Sequence, residues 1–198
     1  MPRSIKDLKP APGRFYNGYY KPTNLKKYIG DPLKIIYRSS WERAFCKFCD
    51  NSDLVEKWSS EPFPIKYYSP IDKLIHEYNI DFYMRFVHDN GQIESYLVEI
   101  KPKHKLQKPV PPQKATTRLI GMYNEQCKEY IINCAKFSAA KAFAAKVGYK
   151  FIVVTEDFLF GAGYKTDTPK NPEHAAYLRV WSKKYRAKKK AEKVNDKS

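Results

Sequence analysis

The sequence predicts a mixed α/β domain with a basic segment at each end. Three observations predict this class. An amphipathic helical pattern near residue 40 precedes a series of strand-like segments between residues 55 and 101. A long alanine-rich helical pattern follows, and the apolar segment YKFIVV forms a last strand. The order helix, strands, helix, strand is typical of a mixed sheet flanked by helices.

Composition supports a folded, nucleic-acid-binding protein. The chain has 198 residues, 15% of them aromatic, and 37 Lys and Arg against 21 Asp and Glu give a formal net charge of +16. This content of core-forming residues excludes a disordered chain. The charge indicates a polyanionic partner, chiefly nucleic acid, with membrane surfaces or acidic proteins as lesser options. No apolar run approaches the roughly 18 residues of a membrane span, and the N-terminus lacks the apolar core of a signal peptide. We therefore expect no membrane association and a cytosolic setting.

The ends of the chain differ from its centre. Residues 1–34 form a predicted arm of interleaved basic and aromatic residues, with one helical turn near residues 24–29. Such an arm suits contact with phosphates and bases, but it equally suits packing on its own domain. We expect the folded domain to span residues 35–175. Residues 176–198 are predicted to be a basic tail whose helix frays.

The first helix is predicted within residues 37–52. Ser39 or Ser40 can cap it, and Glu42 lies in its first turn. The spacing i, i+4, i+7 predicts a buried stripe of Trp41, Phe45 and Phe48.

Five strands, a loop and a second helix follow. The strands are expected at residues 55–59, 65–68, 74–79, 81–87 and 93–101, with Asp89-Asn90-Gly91 as the hairpin turn before the last of them. A basic, proline-rich loop separates them from a helix predicted over residues 115–147, which Gly148 ends.

The four cysteines allow two interpretations. They are Cys46, Cys49, Cys127 and Cys134. The C-x-x-C spacing of the first pair permits a four-cysteine zinc site. The second pair is spaced by seven, a helical repeat, so the favoured interpretation is small buried apolar side chains on helices.

The segment YLVEIKPK carries the strongest chemical signal. Glu99 and Lys101 share one strand face, whereas Val98 and Ile100 share the other. If the Asp89-Asn90-Gly91 turn pairs this strand with the preceding one, Asp81 lies near Glu99 or Lys101. Two adjacent carboxylates become favourable when they share a hard cation such as Mg²⁺, and a neighbouring lysine can orient an attacking water. Taken singly, each of these residues also fits a solvated strand face.

These residues resemble a known nuclease signature. Asp81 followed by Glu99-Ile100-Lys101 looks like the PD-(D/E)xK motif, with Ile80 where the motif usually has proline. The segments RSSWE, YNIDFYM and YLVEIKPK and the alanine-rich helix are similar to the endonuclease subunit of cut-and-paste transposases. They are closer still to the head completion nucleases of T4-like tailed phages. The resemblance covers residues 37–157 and implies the restriction-endonuclease-like α/β fold.

The resemblance also implies roles for individual residues. Asp81, Glu99 and the Ile100 carbonyl would bind Mg²⁺, with Mn²⁺ as a substitute, and Glu42 would bind or orient a second ion or water. Lys101 would position the attacking water. Tyr67 and Ser69 would contact the substrate backbone, although Tyr67 equally suits the core. The residues expected to contact DNA are Lys103, Lys105, Lys136, Lys183, Lys184, Arg186, Lys188, Lys189 and Lys190. For Lys136, which would face the same cleft, a solvated lysine on the alanine-rich helix is the favoured interpretation.

The implied function is a Mg²⁺-dependent endonuclease that acts on double-stranded DNA. It would process packaged DNA in the phage head before the tail joins, in the host cytoplasm or associated with the virion. Head or portal components and a second copy of the chain are the further partners implied. Two alternatives stay open. One is a transposase or restriction-type nuclease, and the other is a non-catalytic DNA-binding structural protein of the virion.

Overall fold

The computed structural model describes residues 18–160, and within that range the predicted mixed α/β class is confirmed. The strands are β1 (Gly18–Tyr19), β2 (Ile36–Tyr37), β3 (Val55–Ser60), β4 (Pro64–Tyr68), β5 (Ile75–Asn79), β6 (Phe82–Val87), β7 (Ile93–Ile100) and β8 (Lys150–Val154). The helices are α1 (Ser40–Asn51), α2 (Thr117–Lys146) and α3 (Glu156–Phe160), with 3₁₀ turns at Leu25–Lys27 and Lys103–Leu106. Helix α3 belongs to a different compact unit from the one that holds residues 18–153.

The central sheet has the strand order β3-β6-β7-β8. Its first three strands are antiparallel, and Phe82 on β6 pairs with Val98 on β7. The predicted hairpin turn joins these two strands, where Gly91 adopts a φ of 79° and the His88 N–H donates to the Gln92 carbonyl. The connection from β7 to its neighbour β8 passes through α2, a crossover of the kind that parallel neighbours require.

Helix α1 begins at a reciprocal cap and packs on one face of the sheet. The Ser39 hydroxyl accepts from the Glu42 N–H at 3.1 Å, and the Glu42 carboxylate accepts from the Arg38 N–H at 2.7 Å. This resembles a capping box, except that the carboxylate accepts from the residue before the N-cap rather than from the N-cap itself. Phe45 is fully buried and lies 4.8 Å from the Phe82 ring. Trp41, predicted to share the buried stripe, is half-buried because it lies in the first turn of the helix.

The opposite face of the sheet is covered by α2 and the β4–β5 hairpin. Strands β4 and β5 pair with each other as a separate two-stranded sheet rather than continuing the central one. Leu97, one residue before Val98, therefore faces away from α1. It joins a buried cluster made of Ile65, Tyr67, Tyr78, Ile80, Leu97, Ala140, Ala144 and Phe151.

The described part of the predicted arm packs on the domain. The fully buried Asp50 carboxylate on α1 accepts hydrogen bonds from the Tyr20 hydroxyl and from the main-chain N–H groups of Thr23 and Asn24. Tyr28 bridges to Trp58 on β3, and the Ile29 N–H donates to the Trp58 carbonyl at 2.8 Å. The arm thus pairs with part of β3, the edge strand of the sheet, which would otherwise be open to pairing with another chain.

Some predicted features lie beyond the described range. The basic tail and the first half of the arm are not among the described residues, so the domain boundaries stay predictions. Across residues 18–160, none of the helices has the length and apolar character needed to span a bilayer.

Candidate active site

The strand register places Asp81 at the end of β7. Because Phe82 pairs with Val98, the residue before Phe82 lies opposite the residue after Val98. The Ile100 N–H donates to Asp81 Oδ2 at 2.6 Å, and the Asp81 carbonyl accepts from the Glu61 N–H at 2.9 Å. Asp81 is therefore fixed by main-chain contacts on both sides, beside Glu99.

Glu99 is buried rather than solvated. Only 4% of the residue is exposed, and Lys101 Nζ lies 3.0 Å from its Oε1. Its second oxygen, Oε2, is buried with no hydrogen-bond partner among the described residues. A buried carboxylate oxygen that lacks a donor is costly, so Glu99 retains an open coordination position that a cation can satisfy.

Burial raises the pKa of both carboxyl groups, and the neighbouring Glu99 charge raises that of Asp81 further. Burial, then the charge of Glu99 and then that of Glu42 hold the pKa of Asp81 well above its usual range. Burial also raises the pKa of Glu99, and the Lys101 ammonium only partly offsets it. A pair of this kind is stabilised by added positive charge, which is the electrostatic condition for a metal site.

Lys101 is held in its charged form. Burial disfavours the ammonium, but the carboxylates around it, chiefly Glu99 and then Asp81, together outweigh burial and raise the pKa of Lys101. At neutral pH, Lys101 is therefore a hydrogen-bond donor beside Glu99.

Glu42 lies within electrostatic range of the pair but is otherwise engaged. Its charge contributes to the raised pKa of both Asp81 and Glu99, whereas its oxygens accept from the Arg38 N–H and the Ser39 hydroxyl. In the described part of the chain, no group of three or more His, Cys, Asp or Glu side chains is arranged to hold a metal alone. The two carboxylates are nevertheless the kind of ligand that suits Mg²⁺, which takes few protein ligands and retains several waters.

Lys136 reaches the same site from α2. Its Nζ lies 5.5 Å from the ring centroid of Tyr67 and 5.4 Å from that of Tyr78. Burial and the charge of Lys101 lower the pKa of Lys136, whereas Glu99 and Asp81 act in the opposite direction. The structure thus brings the two carboxylates and the two lysines together from separate parts of the fold.

Other predicted site residues are either buried in the core or lie on the 3₁₀ turn that follows β7. Tyr67 belongs to the buried cluster, and the buried Ser69 hydroxyl donates to Asp72 and lowers the pKa of that carboxyl. Lys103 is exposed on the 3₁₀ turn after β7, and Lys105 in the same turn forms an ion pair with Glu129 on α2. The remaining predicted DNA contacts lie outside the described residues; they are Lys183, Lys184, Arg186, Lys188, Lys189 and Lys190.

Tyr78 belongs to the site although the sequence motifs do not indicate it. Its hydroxyl donates to the Lys136 carbonyl at 3.2 Å, and burial together with the Glu99 and Asp81 charges raises its pKa. The signal available in the sequence is the alternation of side chains between the two faces of β5, which places Tyr78 on the inner face. Tyr78 also precedes Asp81 by only three residues.

The cysteines lie apart from this site. Cys46 and Cys49 are buried on α1, and burial raises the pKa of both thiols well above the usual range. Cys127 and Cys134 lie on α2, the latter exposed. All four are free thiols, and the packing of the first pair agrees with small apolar core residues.

Comparison with known proteins identifies relatives. The family model described as TnsA-like endonuclease N terminal matches residues 52–156, a range that includes Asp81, Glu99, Lys101 and Lys136 but not Glu42. The head completion nuclease of Enterobacteria phage T4 is 36% identical over 150 residues, which are 76% of this chain and 97% of that protein. No solved structure matches significantly. The predicted restriction-endonuclease-like fold, a mixed sheet flanked by helices, is confirmed.

Proposed function

The chain belongs to the family of TnsA-like endonuclease N-terminal domains, and we propose that it is a Mg²⁺-dependent DNA endonuclease that acts in completion of a phage head. One observation carries the chemical part of the proposal. The buried Glu99 and the half-buried Asp81 form a carboxylate pair beside Lys101, and Glu99 Oε2 has no hydrogen-bond partner within residues 18–160. Lys101 compensates only part of this negative charge, so a cation at the open oxygen would stabilise the pair further.

Three groups would hold the ion: the carboxylates of Asp81 and Glu99 and the carbonyl of Ile100. Mg²⁺, or Mn²⁺ in its place, would supply Lewis acidity at the phosphate and lower the pKa of a bound water. Glu42 is close enough for its charge to raise the pKa of Asp81. From the N-terminal turn of α1, it would orient water or a second ion.

Lys101 would act on the water that attacks phosphorus. As a charged donor 3.0 Å from Glu99, it would hydrogen-bond the water oxygen and direct its lone pair at the phosphate. The water oxygen forms a bond to phosphorus, and the bond from phosphorus to one ester oxygen breaks. The departing oxygen takes up a proton, and the attacking water releases one to solvent.

The proposed biological setting follows from the relative. The T4 protein bears the name head completion nuclease and matches this chain over 97% of its own length. That near-complete coverage favours a role in head completion over transposition or restriction. We therefore propose double-stranded DNA in a phage-infected bacterium as the substrate. Head or portal components and a second copy of the chain are further proposed partners, and the exposed Lys103 and the tail lysines are proposed DNA contacts.

The test is cleavage of supercoiled plasmid. Wild-type protein is expected to nick or linearise the plasmid with Mg²⁺ but not with EDTA, and Asp81→Ala and Lys101→Ala are expected to leave it intact while still binding it. Equal cleavage by wild type and both variants would overturn the assignment. DNA binding without cleavage by the wild type under any divalent cation would instead favour a structural virion protein.

A further inference from the structure

Two tyrosine faces hold the Lys136 ammonium beside the carboxylate pair. Its Nζ lies 5.5 and 5.4 Å from the ring centroids of Tyr67 and Tyr78, and aromatic faces attract cations at such distances. The two rings meet edge to face at 5.9 Å. The Tyr78 hydroxyl also donates to the Lys136 carbonyl, so the helix, the hairpin and the ammonium are fixed relative to one another.

This arrangement keeps Lys136 from pairing with Glu99. Within residues 18–160, the ion pair formed by Glu99 is with Lys101, and no carboxylate lies within ion-pair distance of the Lys136 ammonium. Glu99 Oε2 nevertheless has no hydrogen-bond partner in that range, although the charge of Glu99 acts on Lys136. Without the rings, that attraction would draw the ammonium onto Oε2 and close the coordination position. The tyrosines thus hold the lysine near the carboxylate but out of contact with it.

A cation held in this way is available to the substrate. We propose that Lys136 contacts a non-bridging oxygen of the scissile phosphate and stabilises the negative charge that grows there, with Tyr67 and Tyr78 as its positioning residues. The inference rests on the proposed function and adds a second catalytic lysine to it. Lys101, just after β7, acts on the attacking water, whereas Lys136 on α2 acts on the phosphate. Preorganised charge of this kind is most effective where the surroundings exclude water.

Removing the positive charge of Lys136 tests whether this residue acts on the phosphate. Lys136→Met keeps a side chain of similar shape, and Lys141→Ala removes an exposed lysine from the same helix as a matched control. Under single-turnover conditions with Mg²⁺, Lys136→Met is expected to nick supercoiled plasmid about 10²-fold more slowly than wild type. Its plasmid affinity in EDTA is expected to change by less than about threefold, and Lys141→Ala is expected to match the wild-type rate. A Lys136→Met rate within about threefold of wild type would overturn the proposal, as would a slower rate fully explained by weaker binding.

The role of the rings is tested by a double-mutant cycle. Tyr67→Leu removes the aromatic face, whereas Tyr67→Phe keeps it. We expect Tyr67→Leu to lower the rate at least about tenfold and Tyr67→Phe to stay within about threefold, with thermal melts verifying that each variant is folded. In the Lys136→Met background, Tyr67→Leu should slow the reaction no further, because the ring acts through the lysine. An equal decrease in both backgrounds would show a purely structural tyrosine and refute the positioning role.

The experiments distinguish failure of the proposed nuclease function from failure of the inference about Lys136. If wild-type protein does not nick plasmid, or if Asp81→Ala nicks it equally well, the proposed function is wrong and this inference falls with it. If the wild type nicks, Asp81→Ala does not, and Lys136→Met nicks at the wild-type rate, only the inference is wrong.

Discussion

Replacing Asp81 with asparagine is expected to stabilise the metal-free protein. The asparagine side chain would keep the shape of the aspartate and an oxygen to accept from the Ile100 N–H, but it removes the charge that faces the buried Glu99. A buried polar atom without a partner, such as Glu99 Oε2, carries a penalty of about 1–3 kcal/mol, which sets the scale of the relief. For a chain of about 150–250 residues, each kcal/mol shifts Tm by about 2–4 °C, so Asp81→Asn should melt about 2–12 °C above wild type at pH 7 in EDTA.

The sign of the pH dependence follows from the raised pKa of Asp81. An acid whose pKa is raised by folding contributes most to stability below its unfolded pKa, about 3.9 for Asp, and this contribution is lost as the pH rises. Asparagine does not titrate. The Tm difference between Asp81→Asn and wild type should therefore be small near pH 4 and grow towards pH 7.

Two comparisons sharpen this experiment. Asp53→Asn changes an exposed carboxylate and should shift the free energy of unfolding by less than about 0.5 kcal/mol at every pH. Saturating Mg²⁺ should raise the Tm of wild type but not that of Asp81→Asn, because a ligand stabilises only the form that binds it. An Asp81→Asn variant that melts at or below wild type at pH 7 in EDTA would refute this explanation of the carboxylate pair.

Three further predictions concern the rest of the chain. Asp50→Ala should lower the free energy of unfolding, measured by urea denaturation, by about 3 kcal/mol, because it leaves the buried Tyr20 hydroxyl and two main-chain N–H donors unpaired. Burial opposes ionisation of Asp50, but the hydrogen bonds that its carboxylate accepts lower its pKa. This stabilisation should therefore be present above the unfolded Asp pKa and disappear as the pH falls below it; a constant difference from about pH 7 to pH 2 would contradict it. Ser39→Ala should destabilise the protein by about 1 kcal/mol through removal of the α1 cap, whereas an unchanged urea midpoint would contradict the importance of the cap. Removing residues 183–198 should flatten the dependence of log Kd for DNA on log salt concentration by about 0.9 for each phosphate that the tail binds, and an unchanged slope would exclude the tail lysines as phosphate ligands.

Local patterns made most of the secondary structure predictable. The strand at residues 93–101 ends within one residue of β7, and the helix predicted at 115–147 corresponds to α2. Turn chemistry also identified the β6–β7 hairpin, and with it the approach of Asp81 to Glu99. These features depend on neighbours in sequence, where hydrophobic period and glycine placement act directly.

Long-range packing could not be predicted in the same way. Nothing in the β4 and β5 segments indicates that they form their own sheet against α2, because that choice depends on the shape of the Ala140 and Ala144 surface. The alternation along the strand predicts that Glu99 shares a face with Lys101. It does not predict that Glu99 is buried, because that depends on the β4–β5 hairpin and α2 covering the face. The position of Lys136 over two rings likewise depends on a contact across 58 residues.

The central claim is that the carboxylate pair of Asp81 and the buried Glu99 works with a divalent cation to cleave DNA. Glu99→Gln removes the charge and the open carboxylate oxygen with little change in shape, so single-turnover nicking of supercoiled plasmid by this variant tests the claim most directly. We predict nicking by wild type in Mg²⁺, none in EDTA, and a rate for Glu99→Gln at least about 10²-fold lower at unchanged DNA affinity. Nicking by Glu99→Gln at the wild-type rate, or by wild type in EDTA, would contradict the claim.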